Sequence, residues 1–168
     1  MEKLEIERRF LIRYPDKDVL RAKEGAVFVQ IVQDYLKDGD DGFGRRVRSW
    51  DDGEKRYFYT QKKKVSTFIR REIEEEVDEK CYLKLLNDKV PGSNTIKKIR
   101  CRIPDSGHIF EIDLFEFWKH QAILEVELDS PEETFPIPDY VSVIREITTE
   151  PAYTNRAMSL KIPSEDVI

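Results

Sequence analysis

The chain repeatedly sets charged side chains at every second position, beginning with Glu5-Ile6-Glu7-Arg8-Arg9. In extended backbone, side chains alternate faces, so Glu5, Glu7 and Arg9 share one side while Leu4, Ile6 and Phe10 take the other. Two carboxylates and a guanidinium on one face could hold a divalent cation beside a phosphate group. The pattern recurs with Arg46 and Arg48 about Val47, with Thr60 and Lys62, and with Arg70, Glu72, Glu74 and Glu76 about Ile73. Lys98, Arg100 and Arg102 stand opposite Ile99, Cys101 and Ile103; Glu111 and Asp113 stand opposite Phe110, Ile112 and Leu114; Glu125 and Glu127 stand opposite Leu124, Val126 and Leu128.

An ordinary antiparallel sheet turns one apolar face to the core and one polar face to water. Two features set this chain apart from that arrangement. The polar positions are almost all fully charged, with few Thr, Ser or Gln, and the signs segregate by segment: 46/48 and 98/100/102 are basic, 111/113 and 125/127 acidic. A sheet curled around this face would enclose a polar tunnel, with its apolar faces outward under the helices. The basic wall could neutralise several phosphates, arginine doing so through bidentate contacts. The acidic wall could hold one or two Mg²⁺ ions, which polarise phosphoryl oxygens and position water for in-line attack. The ligand expected is a polyanion with a metal, a triphosphate best of all.

The elements that must position these groups are mainly strands, expected over residues 2–12, 28–36, 43–50, 56–62, 69–77, 95–103, 108–116, 122–129 and 144–149. Asp38-Gly39-Asp40-Asp41-Gly42, Asp51-Asp52-Gly53 and Pro104-Asp105-Ser106-Gly107 are turn sequences, and short connections imply antiparallel pairing. Helices are expected from Pro15 toward a stop at Gly25, over about 79–87 capped by Asp78 with Cys81, Tyr82 and Leu85 inward, and around Ala157, Met158 and Leu160. The fold class expected is mostly β (α+β): a closed eight-stranded antiparallel barrel with a few flanking helices, one domain spanning 1–168.

With 168 residues, 38% charged and 39% hydrophobic, the chain can bury a sizeable core. A net charge of −5 argues against binding a nucleic-acid polymer through a basic surface. No segment reads as a signal peptide or a membrane span, and two cysteines make no disulfide framework, so a cytoplasmic protein is expected. His108 and His120 are expected at surface or turn positions, which leaves carboxylates as metal ligands and favours Mg²⁺ or Mn²⁺. Lys63 and Lys64 are expected in a solvated loop, Cys81 and Cys101 as small buried hydrophobes, and Trp50 and Trp118 in core or barrel-mouth packing.

Taken in order, these segments resemble the CYTH domain, also called the triphosphate tunnel metalloenzyme superfamily, over nearly the whole chain. Glu5-Ile6-Glu7-Arg8-Arg9 is similar to its opening ExExK, Gln33-Asp34-Tyr35-Leu36 to Q-G-Y-L, and Arg46-Val47-Arg48 to R-x-R. Thr60-Gln61-Lys62 and Arg70-Arg71-Glu72-Ile73-Glu74 resemble T-x-K and R-x-E-x-E; Lys98-Ile99-Arg100, Glu111-Ile112-Asp113-Leu114-Phe115 and Glu125-Val126-Glu127 resemble K-x-R, E-x-D-x-F and E-x-E. The tail from Glu146 to Asn155 also has a counterpart.

The resemblance implies an eight-stranded tunnel that binds triphosphates with divalent metal, and its spelling is nearest to small bacterial inorganic tripolyphosphatases. It implies Glu5, Glu7, Asp113, Glu125 and Glu127 as metal ligands, with Glu72 and Glu74 as contributors. Arg9, Glu72 and Glu74 are the candidates for catalysis; no general base stands out, and Glu72, Glu74 and Glu127 are the carboxylates left open for that role. Arg9, Arg46, Arg48, Lys62, Arg70, Lys98 and Arg100 are the implied phosphate-binding set. The substrate expected is a small triphosphate, tripolyphosphate first; a homodimer is left open. Adenylate cyclisation and binding without turnover are the alternatives. Position 9 departs from the family's lysine: arginine stays protonated, so Arg9 binds and stabilises charge but cannot serve as a base. Asp34 stands where the family has glycine.

Overall fold

The computed structural model describes residues 2–39 and 41–166, and for Glu2 and Lys3 only the backbone. Its strands are β1 (Glu2–Arg13), β2 (Val27–Leu36), β3 (Gly44–Asp51), β4 (Lys55–Lys64), β5 (Ile69–Val77), β6 (Ile96–Asp105), β7 (His108–Phe115), β8 (Gln121–Glu127) and β9 (Val143–Glu146). They run in the order β5-β4-β3-β2-β6-β7-β8-β1-β9, and β5 also pairs with β1, which closes eight of them into an antiparallel barrel. Glu2–Ile6 of β1 pair with β5; β9 lies along Phe10–Ile12, on the stretch of that edge β5 leaves uncovered. Closure leaves few open edges, the reason a strand-rich chain of alternating charge takes this form.

Directly opposed residues in antiparallel pairs share a face. Arg48 opposes Gln33 and Phe58, Arg46 opposes Tyr35 and Thr60, and Lys98 opposes Ile31 and Phe115, so the charged positions of neighbouring strands line one surface, the inside. Much of the outer surface is apolar and covered, although outward Gln30, Lys63, Arg71, Glu75 and Lys97 are exposed. Phe10, Ile12, Cys101, Ile103, Phe110, Ile112 and Leu124 pack under Leu20 of α1 (Lys17–Arg21) and under Phe135, Tyr140 and Val141 of the proline-rich connection. Leu36, Val47, Tyr57 and Tyr59 pack under Tyr82, Leu85 and Leu86 of α2 (Glu79–Leu85) and the turn after it.

The interior is not charged throughout. Leu11, Ile96, Phe115 and Ile123 continue the inward rows of Arg9, Lys98, Asp113 and Glu125, and they cluster with Trp118, Ile147, Tyr153 and Met158. Tyr153 and Met158 come from the 3-10 turn at Pro151–Tyr153 and from α3 (Asn155–Leu160), which enter this end of the barrel and make an apolar floor. Burying each such side chain contributes ~1.5–3 kcal/mol, which holds α3 against the charged cavity above it.

Several local expectations are corrected. α1 ends at Arg21, and the chain then turns through Gly25 at φ 75, where a Cβ would lie 2.8 Å from Pro104 Cγ. Asp78 caps α2 by accepting from Cys81 N, but Cys81 is exposed and Tyr82 is the buried residue, because the short helix turns only a narrow stripe to the sheet. β4 runs through Lys64, so Lys63 and Lys64 are strand residues whose partners are Arg71 and Arg70. Asp40 of the expected β2–β3 turn lies outside the described residues. Among the described residues, no helix is long and apolar enough to cross a membrane.

Candidate active site

The barrel encloses a cavity of about 450 Å³ above the apolar floor. All seven expected phosphate-binding residues line it: Arg9, Arg46, Arg48, Lys62, Arg70, Lys98 and Arg100. Of the expected carboxylates, Glu5, Glu7, Glu72, Glu74, Glu125 and Glu127 line it as well. Asp113 does not. It is fully buried behind the basic wall, where Lys98 Nζ donates to its Oδ2 at 2.7 Å and Arg100 donates to Oδ1 and Oδ2 at 2.7 and 2.9 Å.

The basic side chains are held by carboxylates from neighbouring strands. Arg9 Nε donates to Glu125 Oε1 at 3.0 Å and its Nη1 to the Tyr153 carbonyl at 2.8 Å, which ties β1 to the floor segment. Arg48 Nη2 and Thr60 Oγ1 donate to Glu74 Oε2 at 3.2 and 2.7 Å, and Lys62 lies 3.0 Å from Glu5 and 3.6 Å from Glu72. Three guanidinium donors of the cavity are left over. Arg9 Nη2, Arg46 Nε and Arg48 Nε are buried and make no hydrogen bond among the described residues. Buried donors are nearly always satisfied, and orphans on three arginines of one cavity call for acceptors supplied from outside the chain. Phosphoryl oxygens suit a guanidinium fork best.

The opposite wall has the complementary problem. Glu7 opposes Glu127 across β1 and β8, and Glu111 opposes Glu125 across β7 and β8. Like charges directly opposed in a sheet repel. Burial, then Glu125 and Glu5, push the Glu7 carboxyl up to about 8. By contrast Lys62 and Arg46 hold Glu5 below the ordinary carboxylate range despite burial, and Arg9 and Arg100 do the same for Glu125. Arg100 and Lys98 likewise keep Asp113 ionised. On Lys98 burial outweighs Asp113 and, with Arg100 nearby, brings the amine down to about 8; burial and Arg46 bring Arg48 down to about 10.

Among the described residues no three His, Cys, Asp or Glu side chains are already gathered as a metal site. The donor set nevertheless fits a hard divalent ion, because the wall is all carboxylate oxygen and Glu7 lacks a countercharge sufficient to ionise it at neutral pH. This has a measurable consequence. A carboxyl whose folded pKa is raised contributes stability below its unfolded pKa and loses it as pH rises through the folded value. In EDTA, wild type should therefore lose stability relative to Glu7→Gln between about pH 4.5 and 8. At about 2–4 °C per kcal/mol for a chain this size, the gap should reach several degrees at pH 8.5. Parallel melting curves for the two proteins across that range would contradict the crowding of Glu7.

Residues beyond the expected set also reach the cavity. Glu111, Arg102, Tyr35 and Thr60 follow from the alternation of their strands, and Trp50 stands at the end of the β3 row with Arg48 Cζ 5.1 Å from its ring centroid. Thr154, Asn155 and Arg156 come from α3 and its cap, where no strand periodicity could indicate them. Asn155 Oδ1 accepts from Gln33 Nε2 at 3.0 Å and Lys98 Nζ at 3.1 Å, so the helix is seated on the basic wall.

No family model and no curated protein matches the chain. Solved structures do. The inorganic triphosphatase NE1496 is 27% identical, with 95% of this chain and 97% of that one covered and a TM-score of 0.58. The fold is that of the CYTH, or triphosphate tunnel, superfamily. Two more distant likenesses bear on the fold alone. HpAC1 from Hippeastrum, named as an adenylyl cyclase with a dominant triphosphatase activity, is 18% identical over 79% of this chain and 81% of its own, with a TM-score of 0.50. An adenylate cyclase candidate from Bacillus halodurans is 17% identical over 78% and 83%, with a TM-score of 0.54.

Proposed function

We propose that this protein is a divalent-metal-dependent triphosphatase whose substrate is inorganic tripolyphosphate. The observation that supports this reading is the pair of unmet demands in one cavity: three buried arginine donors without acceptors among the described residues share it with a carboxylate wall whose Glu7 is short of positive charge. A phosphate chain meets the first and a divalent cation the second. The likeness to NE1496, an inorganic triphosphatase, supports the same substrate.

In this reading Arg9, Arg46, Arg48 and Arg100 grip the phosphate oxygens, and their fixed positions stabilise the charge that spreads over the transferring phosphoryl group. A Mg²⁺ or Mn²⁺ ion held by Glu7, Glu125 and Glu127 with Glu5 alongside would supply Lewis-acid polarisation and a more acidic bound water. Water attacks the terminal phosphorus, the bond to the bridging oxygen breaks, and pyrophosphate leaves with the electron pair. We assign the departing water proton to Glu72, whose carboxyl is raised chiefly by burial. Glu74 is committed to Thr60 and Arg48 and positions them. Two free cysteines are consistent with a reducing, cytoplasmic setting.

Product analysis tests the assignment. With Mg²⁺ or Mn²⁺, tripolyphosphate should yield pyrophosphate and orthophosphate in equal amounts, and ATP should yield no cyclic AMP. Cyclic AMP with pyrophosphate from ATP would establish the cyclase instead, and tight binding of tripolyphosphate with no product would establish a binding module.

A further inference from the structure

We infer that Arg156, carried by α3, is a further phosphate-binding residue of this cavity that reads the free end of the phosphate chain by exchanging Asp38 for a phosphoryl oxygen. The inference rests on the triphosphatase reading and deepens it. Positions 44, 46, 48 and 50 of β3 form the inward row, and the row lacks a side chain at Gly44. A Cβ there would lie 3.0 Å from Arg156 Nη1 and 3.9 Å from its Cζ, so the guanidinium fills the volume any other residue at 44 would claim. Arg156 thus continues the line of Arg46 and Arg48, from a different element.

Its ion-pair partner is Asp38, before the β2–β3 turn. The two side chains are 39% and 59% exposed, and an exposed pair of this kind contributes little. A phosphate end with more than one negative charge and a geometry matched to the guanidinium is the stronger partner. The exchange needs only a side-chain rotation, because the backbone beneath it is fixed. Met158 is fully buried in the floor, Thr154 caps the helix by accepting from Ala157 N, and Asn155 is bonded to Gln33 and Lys98.

The test is steady-state hydrolysis of tripolyphosphate with Mg²⁺ by wild type, Arg156→Ala, Arg156→Lys and Asp38→Asn. Arg156→Ala should raise KM about ten- to a hundredfold, the loss expected for a charge-assisted hydrogen bond, with kcat within about threefold. Arg156→Lys should recover part of that loss. Asp38→Asn removes the competitor and should lower KM. The two single losses break the same ion pair, so a strut that merely fastened α3 would raise KM in both. An unchanged KM in Arg156→Ala, or a rise in both variants, would overturn the inference while leaving an active wild type and the triphosphatase reading intact. A wild type that neither binds nor hydrolyses tripolyphosphate would remove both.

Discussion

Asp113→Ala is expected to destabilise the metal-free protein by about 3–5 kcal/mol, the usual loss when one member of a buried ion pair is removed. The reason is specific to this site. Asp113 is fully buried and accepts three hydrogen bonds from Lys98 and Arg100, and no solvent can replace it. Without it two cations remain in the wall, close to Arg48, with Glu125 at 3.4 Å from Arg100 as a remaining anion. At about 2–4 °C per kcal/mol, melting in EDTA should fall by roughly 6–20 °C. Asp113→Asn should recover the shape but not the charge and fall between. If Asp113 were instead a metal ligand without a structural role, its loss would leave melting in EDTA unchanged and abolish the stabilisation by Mg²⁺, and that pattern would contradict the assignment.

The second large effect is expected at Arg9. Its guanidinium bonds Glu125 and the Tyr153 carbonyl, and its buried Nη2 has no hydrogen-bond partner among the described residues; in the proposed reaction that donor meets a phosphoryl oxygen. Arg9→Ala should lower kcat/KM about 10²–10³-fold, as for other preorganised donors aimed at developing charge. Arg9→Lys keeps the charge but cannot meet Glu125, the carbonyl and a phosphoryl oxygen in one plane, so a loss of about tenfold is expected. Burial alone would weaken the Arg9 proton, yet Glu125 and Glu7 raise its affinity above the ordinary arginine value, so the residue remains a cation at every working pH. No limb of the pH–rate profile should belong to it. A lysine variant faster than wild type would show instead that the reaction wants a base at position 9 and that arginine impairs it.

The strands and the charged wall were readable because one physical signal carries both. Alternation in steps of two marks a strand, and at 46/48, 98/100 and 125/127 the same steps mark which face is charged. Register then follows from hairpin connections, so Arg46, Thr60 and Glu74 meet as the alternation implies. What alternation cannot show is where an inward row changes character along the barrel. Leu11, Ile96, Phe115 and Ile123 read as ordinary strand residues, and only the arrival of α3 makes them a floor. Nor does it distinguish an inward carboxylate that faces the cavity, such as Glu125, from one buried beneath its neighbours, such as Asp113. Arg156 was invisible for a third reason: its place depends on the missing side chain of Gly44, more than a hundred residues earlier. Cys81 failed on helix length, since a seven-residue helix buries Tyr82 without turning its neighbour inward.

Whether a phosphate-gripping wall and a cation-demanding one work together in this cavity is read from the initial rate of orthophosphate release from tripolyphosphate in Mg²⁺, in Mn²⁺ and in EDTA. Rapid release is expected with either metal and none in EDTA, restored when metal is added back. Release that persists undiminished in EDTA, or its absence under all three conditions, would contradict a joint role for the two walls.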